Sequence, residues 1–468
     1  MTSSMVGGVV DDDIDIILKL PDALIDHILS FLPTEDVVRT CILSKRWKLI
    51  WYSVPTLSFE FEKIKYVKRQ DLETFYDYVS NYMENRKKGM DLVDDSSITS
   101  FKFNMPSYYG YRKIWLLDKL LSFVVENKVK EIYLFLGGEA HAFYYCLPTI
   151  LNDARYLTIL ELSGVKLDSS HSFSFPLLKT LSLLNVKQSN TKDDNVVFKF
   201  LLCCPSLEKL RIINYSLSCM DDRLRLQSLS LKFLELNYID IKYELEVEAI
   251  NLESLVIIYH SSERINFSSC KKIRNLSLTN YAECYQPSLE DLISSIPLLE
   301  NFTLINQSSS ADCLRISSQH LKSFTYNGLS FLSVSIYVEI ESAPRLEYFC
   351  YEDIFEFSIS MESSNLINGK IVSREMHFDN DIKCFTNMLY YFLVKLNCSW
   401  NVVTVHVSSY EGLLLLEDLK IKNYPFLNWK HLRVITDYHY ERESVLKDDL
   451  MRIWPSLETL SINERIIF

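Results

Sequence analysis

The chain is short of the residues that loosen a polypeptide: its 468 residues include only 10 glycines and 12 prolines. With 48% hydrophobic residues, that scarcity excludes long disordered linkers and implies folded structure nearly throughout. Positive charge is also in deficit, 49 Lys and Arg against 61 Asp and Glu, for a net charge of −12. No basic stripe runs along the chain, and such a balance repels phosphate backbones, so nucleic acid is not an expected partner. No apolar run reaches the ~20 residues of a membrane span. The most apolar window, Ile132 to Ile150, is broken by Gly137, Gly138, Glu139 and His141. The opening residues, MTSSMVGGVVDDDID, have neither a basic start nor an apolar core, so they do not read as a signal peptide. The expectation is a chain that avoids membranes and works in the cytoplasm, the nucleus or both.

Chemistry is missing as well. The eleven cysteines contain no C-x-x-C pair, and Cys203, Cys350 and Cys384 lie in apolar runs, where a reduced thiol acts as a small hydrophobe. There is no Gly-rich phosphate loop, no G-x-S-x-G and no H-E-x-x-H, and the nine histidines are dispersed. Asp11, Asp12 and Asp13 lack the glycine and the distant glutamate of a calcium loop. No catalytic residue, no metal site and no cofactor are expected.

What is present falls into two parts, as expected of a chain too long for one compact core. Residues 20–57 read as three short amphipathic helices. In the first, Leu24, Ile25, Ile28, Leu29 and Leu32 recur at helical spacing, Pro21 and Asp22 suit its opening turn, and Pro33 closes it. Thr34 is a candidate N-cap for a second helix carrying Val37, Val38 and Cys41. Ser44 is a candidate cap for a third, with Trp47 and Trp51 one turn apart. Fewer than forty residues cannot bury a core alone, so this segment needs another surface, from its own chain or from a partner.

The run Leu20-Pro21-x₆-Ile28-Leu29-x₂-Leu32-Pro33, then Val37-Val38, Leu43-Ser44-x-Arg46-Trp47 and Trp51, resembles the plant F-box over its whole length of about forty residues. The resemblance implies docking on a Skp-type adaptor and, through it, a cullin. It would place Leu20, Pro21, Ile25, Ile28, Leu29, Leu32, Pro33, Val37, Leu43 and Trp47 at or near that interface. Trp47 and Trp51 would also pack the module and its junction with the next domain.

Behind it, L-x-x-L-x-L recurs at Val129, Leu157, Leu178, Leu207, Leu231, Leu252, Ile273, Leu299, Leu321 and Leu346, in steps of 21–29 residues, the period of leucine-rich repeats. Each unit predicts a short strand, stacked side by side into a curved parallel sheet, with a helix or loop returning on the convex side. The residue between each buried pair then faces the concave side: Tyr133, Glu161, Ser182, Arg211, Glu235, Val256, Ser277, Thr303, Thr325 and Cys350. Lys209, Phe233, Asn275, Asn301 and Tyr348 flank that row. This mixed surface suits a protein or peptide. Only Lys209 and Arg211 offer clustered positive charge, which disfavours a polyphosphate cofactor. The usual ladder position holds Val165, Val186, Tyr215 or Ile239 in place of Asn or Cys. Asn185, Asn214, Asn280 and Asn306 stand one residue earlier and are expected to bond the backbone where the strand turns out.

The expected fold is α/β: a short N-terminal three-helix F-box followed by a curved leucine-rich-repeat solenoid with a parallel sheet. The expected division is an acidic tail at 1–17, the F-box at 18–57, a helical linker and first strand at 58–110, repeats at 111–355, and divergent repeats with a C-terminal cap at 356–468. Helices are expected between Lys63 and Met90, between Lys113 and Glu126, and from Ile382 to Leu396. The functional expectation is a non-catalytic substrate-recognition subunit of a Skp–cullin–F-box ubiquitin ligase, its repeats holding an unknown target protein. A small-molecule co-receptor and an adaptor scaffold without ubiquitin transfer are the alternatives on the same frame.

Overall fold

The structure is a computed structural model. It describes residues 20–61, 69–93, 96–105, 114–137, 144–168, 173–188, 201–217, 223–241, 244–258, 265–280, 289–306, 313–328, 337–353, 358–361, 368–373, 402–407, 430–436, 457–462 and 465–466. The chain forms two compact units, residues 1–180 with 185–189 and residues 181–184 with 190–468.

The first unit opens with helices α1 (Asp22–Leu29), α2 (Thr34–Arg39) and α3 (Lys45–Ile50). Ser44 caps α3 as expected, its Oγ accepting from the Trp47 amide at 3.3 Å. Thr34 does not cap α2: Pro33 holds that position, and the buried Thr34 hydroxyl accepts from the Ser58 amide at 2.7 Å instead. Strand β1 (Thr56–Glu60) follows directly and pairs in parallel with β2 (Ser100–Met105), which pairs with β3 (Glu131–Leu136), which pairs with β4 (Ile159–Ser163). The parallel stack therefore starts at Thr56, with its first strand packed against α2. The two expected helices are α4 (Arg69–Met90), which buries Leu72, Tyr76, Val79 and Met83, and α5 (Ile114–Glu126), which buries Leu117, Leu120, Leu121 and Val124.

The second unit carries β5 (Thr180–Leu184, shared at Thr180), β6 (Lys209–Leu217), β7 (Phe233–Ile241), β8 (Ser254–Ile258), β9 (Asn275–Asn280), β10 (Asn301–Asn306), β11 (Ser323–Gly328) and β12 (Tyr348–Asp353). From β6 onward each strand pairs in parallel with the next. The ladder continues through β13 (Asn368–Ser373), β14 (Val402–Val407), β15 (His431–Thr436) and β16 (Thr459–Ile462), and ends on the antiparallel β17 (Arg465–Ile466). Strand alternation sends every second side chain inward. The inward rows run Leu255, Leu276, Phe302, Phe324, Phe349 and Ile257, Leu278, Leu304, Tyr326, Tyr351, all at most 2% exposed. Equivalent rings stack coil on coil: Phe302 on Phe324 at 5.5 Å and Tyr326 on Tyr351 at 5.8 Å. Each fully buried Leu or Phe contributes about 1.5–3 kcal/mol.

One expectation about the repeats needs correction. The return side carries strands where a helix or loop was anticipated. Short parallel strands at 145–146, 165–167 and 187–188 form one set, 223–227, 244–248 and 265–266 a second, and 313–317, 337–342 and 358–361 a third. Helix also occurs among these coils, as a 3-10 turn at Thr149–Asp153 and as α6 (Leu289–Ser294). Asn185 and Asn214 lie in the left-handed region at φ 49° and 52°, which Asn tolerates better than most residues. Tyr238, next to Asn214's strand in the ladder, shares that conformation at φ 50°. The ladder position itself is an ordinary core site: Val165, Val186, Tyr215 and Ile239 are all buried. The side chains of Asn280 and Asn306, the Ile382–Leu396 helix and the 1–17 tail lie outside the described residues.

Candidate functional site

In the three-helix module the apolar residues of α1 divide into two stripes. Ile25 and Leu29, one turn apart, are 0% and 1% exposed, and with Val37 and Trp47 they form the interior. Leu24, Ile28 and Phe31 are 50%, 47% and 75% exposed on the other side, and Ile42, Leu43 and Leu49 are exposed too. Six of the fifteen large apolar side chains exposed among the described residues thus fall between residues 24 and 49. Such a density in so short a stretch is the pattern that docking surfaces show.

This sorts the residues expected at the adaptor. Pro21, Ile28, Pro33 and Leu43 are exposed, and Leu20 and Leu32 are half-buried. Ile25, Leu29, Val37 and Trp47 are interior and shape the surface without being part of it. Sequence reasoning left Leu24, Phe31, Ile42 and Leu49 off the interface. The signal was there for Leu24, Ile28 and Phe31, whose i, i+4, i+7 spacing is a second helical stripe.

The module is riveted to the stack. Arg86 of α4, at 0% exposure, donates to the main-chain carbonyls of Trp51 and Val54, the latter at 3.0 Å. Burial pulls its pKa below the ordinary arginine value, with Tyr82, Asp26 and Tyr52 opposing. One turn on, the Tyr52 ring lies against Gly89, where a Cβ would meet it at 1.9 Å. Trp51 packs on Tyr82 at 5.1 Å, and the Thr56 hydroxyl donates to the Ser30 carbonyl at 3.2 Å. Arg46, the arginine of the Ser-x-Arg-Trp step, donates from Nε to Asp22 at 2.8 Å and so ties α3 to the start of α1.

The second surface is the outward side of the ladder. In the first unit the register aligns Ser58, Lys102, Tyr133 and Glu161. Lys102 is paired with Glu60 at 2.6 Å, which holds that carboxyl below its usual range, and burial beside Glu131 and Glu161 pushes Tyr133 up to about 12. In the second unit Arg211, Glu235, Val256, Ser277, Thr303, Thr325 and Cys350 stand side by side across seven strands, as the repeat spacing implied. Lys370, Thr404, Arg433 and Ser461 extend the row. Val402, Val403, Val405 and Val407 read as a strand in the sequence, and the units around Leu432 and Leu460 are legible there as divergent repeats. Ser182 and Cys350 are buried, at 0% and 7%, because short side chains do not reach past longer neighbours. Of the two clustered cations, Arg211 is paired with Glu235 at 2.8 Å and Lys209 lies over the Phe233 ring at 5.0 Å.

Charge is sorted onto the rim. The residue just before each strand alternates in sign along the coils: Glu208, Lys232, Glu253, Arg274, Glu300, Lys322, Glu347. Backbone bonds from each to the one before hold the row together, and Glu208–Lys232 at 2.9 Å, Arg274–Glu300 at 2.5 Å and Lys322–Glu300 at 2.9 Å are ion pairs. The bond from Lys322 does most to hold the Glu300 carboxyl below its usual range.

Among the described residues no group of His, Cys, Asp and Glu is placed to hold a metal, and no helix is long and apolar enough to cross a membrane. The buried thiols of Cys204, Cys270 and Cys350 are pushed up in pKa by burial, the reverse of what activates a cysteine nucleophile. A small helical module with an open apolar stripe, riveted to parallel repeat coils, defines a docking scaffold.

Comparison with known proteins agrees. Residues 17–59 match the F-box domain family, and residues 117–281 match the family described as FBD-associated F-box protein At5g56370, LRR repeats. The chain therefore carries an F-box ahead of leucine-rich repeats, and its relatives are F-box/LRR-repeat proteins of Arabidopsis thaliana. F-box/LRR-repeat protein 13 is 31% identical over 203 residues, 43% of this chain and 41% of its own length. F-box/FBD/LRR-repeat protein At1g78750 is 31% identical over 204 residues, 43% of this chain and 42% of its own. Putative FBD-associated F-box protein At5g53635 is 27% identical over 355 residues, 71% of this chain and 78% of its own. The match to the first two spans about four tenths of their length.

Proposed function

We propose that this protein is a substrate-recognition subunit of a Skp–cullin–F-box ubiquitin ligase. The stripe of Leu24, Ile28 and Phe31, with Leu43 beside it in the motif, seats a Skp-type adaptor, and the adaptor brings a cullin. The outward rows of the repeats hold a target protein. The chain makes and breaks no bond itself. It raises the target's effective concentration near a transferable ubiquitin, which turns a bimolecular encounter into a local one. No cofactor enters this reading, and the place of action is the cytoplasm, the nucleus or both.

The observation that carries the proposal is the division of α1 into a covered and an open stripe. Ile25 and Leu29 fill the module's own core, which leaves about half of Leu24 and Ile28 and three quarters of Phe31 open to a partner. The open parts of the three together represent roughly 3–5 kcal/mol of burial in a partner interface before the costs of association. The test is reconstitution of full-length protein with a plant Skp-type adaptor and a cullin. One stable complex with both is expected, and failure of the adaptor to co-purify would overturn the assignment.

A further inference from the structure

We infer that the second unit's ladder holds an extended, uncharged stretch of its target by the main chain, at a patch centred on Asn275 and Asn301. This rests on the reading that the repeats bind a target, and it names the kind of segment they take.

Four neighbouring strands, β8 to β11, build the patch. The register sets Ser254, Asn275, Asn301 and Ser323 side by side in one outward row. Two residues on, Val256, Ser277, Thr303 and Thr325 form the next. Neither row contains a charge, although the same coils carry Glu253, Arg274, Glu300 and Lys322 one residue before the first row. Those charges are displaced to the rim, where Arg274, Glu300 and Lys322 neutralise one another. The coils are therefore not poor in charge; the charge has been moved off this part of the face.

The two asparagines add direction. Asn301 Nδ2 donates to Asn275 Oδ1 at 2.7 Å, and both side chains are exposed. After that bond the Asn275 amide still has two N–H donors and the Asn301 amide still has carbonyl lone pairs. The pair thus offers donors at one end and an acceptor at the other, the same groups a peptide main chain carries. The Ser277, Thr303 and Thr325 hydroxyls beside them both donate and accept. A charged side chain laid on this field would lose water with no counter-charge in return, so the patch selects against it. Strands lie ~4.8 Å apart, so the four span about 14 Å, or four to five residues of extended chain.

The experiment uses the full-length protein in complex with its adaptor and an immobilised array of random 12-residue peptides. Retained peptides should share a run of four to five uncharged residues, and the signal should survive from about 0.05 to about 0.5 M NaCl. Asn275→Ala/Asn301→Ala should lower retention at least tenfold while adaptor binding and thermal unfolding stay unchanged. Enrichment of acidic or basic peptides, loss of signal in salt, equal retention by the double variant, or no retention at all would overturn the proposal. So would a dimer in sedimentation that the double variant abolishes, since a second copy would then occupy the patch. A preparation that fails to bind the adaptor strikes the ligase reading itself and is recognised before the array is used.

Discussion

Arg86 and Gly164 are each held by neighbours that cannot give way. The Arg86 guanidinium is spent on carbonyls at the end of the F-box, and no carboxylate lies within ion-pair distance of it among the described residues. Arg86→Met leaves two buried carbonyls unpaired and should cost roughly 2–4 kcal/mol, read as a lower denaturant midpoint by Trp fluorescence. An unchanged midpoint would remove Arg86 from the junction. Gly164 is at φ 70°, and a Cβ there would sit 1.5 Å from the Leu136 carbonyl oxygen, a backbone atom. Gly164→Ala should therefore cost at least about 3 kcal/mol by thermal or denaturant unfolding, and a near-neutral result would contradict the backbone path between β4 and the short strand after it. Neither role is legible in the sequence. Arg86 sits in the run Asn85-Arg86-Lys87-Lys88, which reads as a solvated helix face, and only the fold brings the Trp51 and Val54 carbonyls to it.

At the scale of elements, periodicity carries most of the information. L-x-x-L-x-L places alternate residues inside, so strands, register and the row from Arg211 to Thr325 follow from spacing. The return strands are harder to see, although Arg-Leu-Arg-Leu-Gln and Glu-Leu-Glu-Val-Glu alternate with the same period of two, because the leucine spacing of the neighbouring strands dominates the pattern. Helix α1 reads as one stripe because adjacent Leu and Ile pairs satisfy two stripes at once, and periodicity does not say which of them the chain covers. The rim charges are also hidden, because their alternation appears only when coils are laid in register. They make a pH-dependent element. Glu300 has a lowered pKa, so its stabilisation is complete above the ordinary carboxylate value and is lost as pH falls through the lowered one. Glu300→Gln should be less stable than wild type at about pH 6, with the difference closing toward about pH 3 in a pH series of thermal midpoints. A constant difference across that range would show that the carboxylate charge is not what matters.

At the scale of the whole molecule, the proposed adaptor site is the F-box stripe and the proposed target site is outward residues of the coils, two sets with no residue in common. The separation implies that damage to one function leaves the other intact. Substitutions on the F-box stripe should not alter peptide retention at Asn275 and Asn301, and substitutions there should not alter adaptor affinity. Within the first unit, the Arg86 rivet joins the F-box directly to the first coils, so the module does not hang on a loose tether. The two-part plan is legible from the motif and the repeat period. Which side chains the F-box leaves open is not, because that depends on how three short helices close on one another.

The most direct measurement is titration calorimetry of a plant Skp-type adaptor into the full-length protein and into Leu24→Asp/Ile28→Asp. Both positions are already half in water, so the variant should fold as the wild type does, with an unchanged thermal midpoint. Its affinity should fall at least a hundredfold, about 2.7 kcal/mol, whereas Leu229→Asp/Ile250→Asp, on residues at least as exposed in the second unit, should bind as wild type. Equal affinity of wild type and Leu24→Asp/Ile28→Asp would contradict the account.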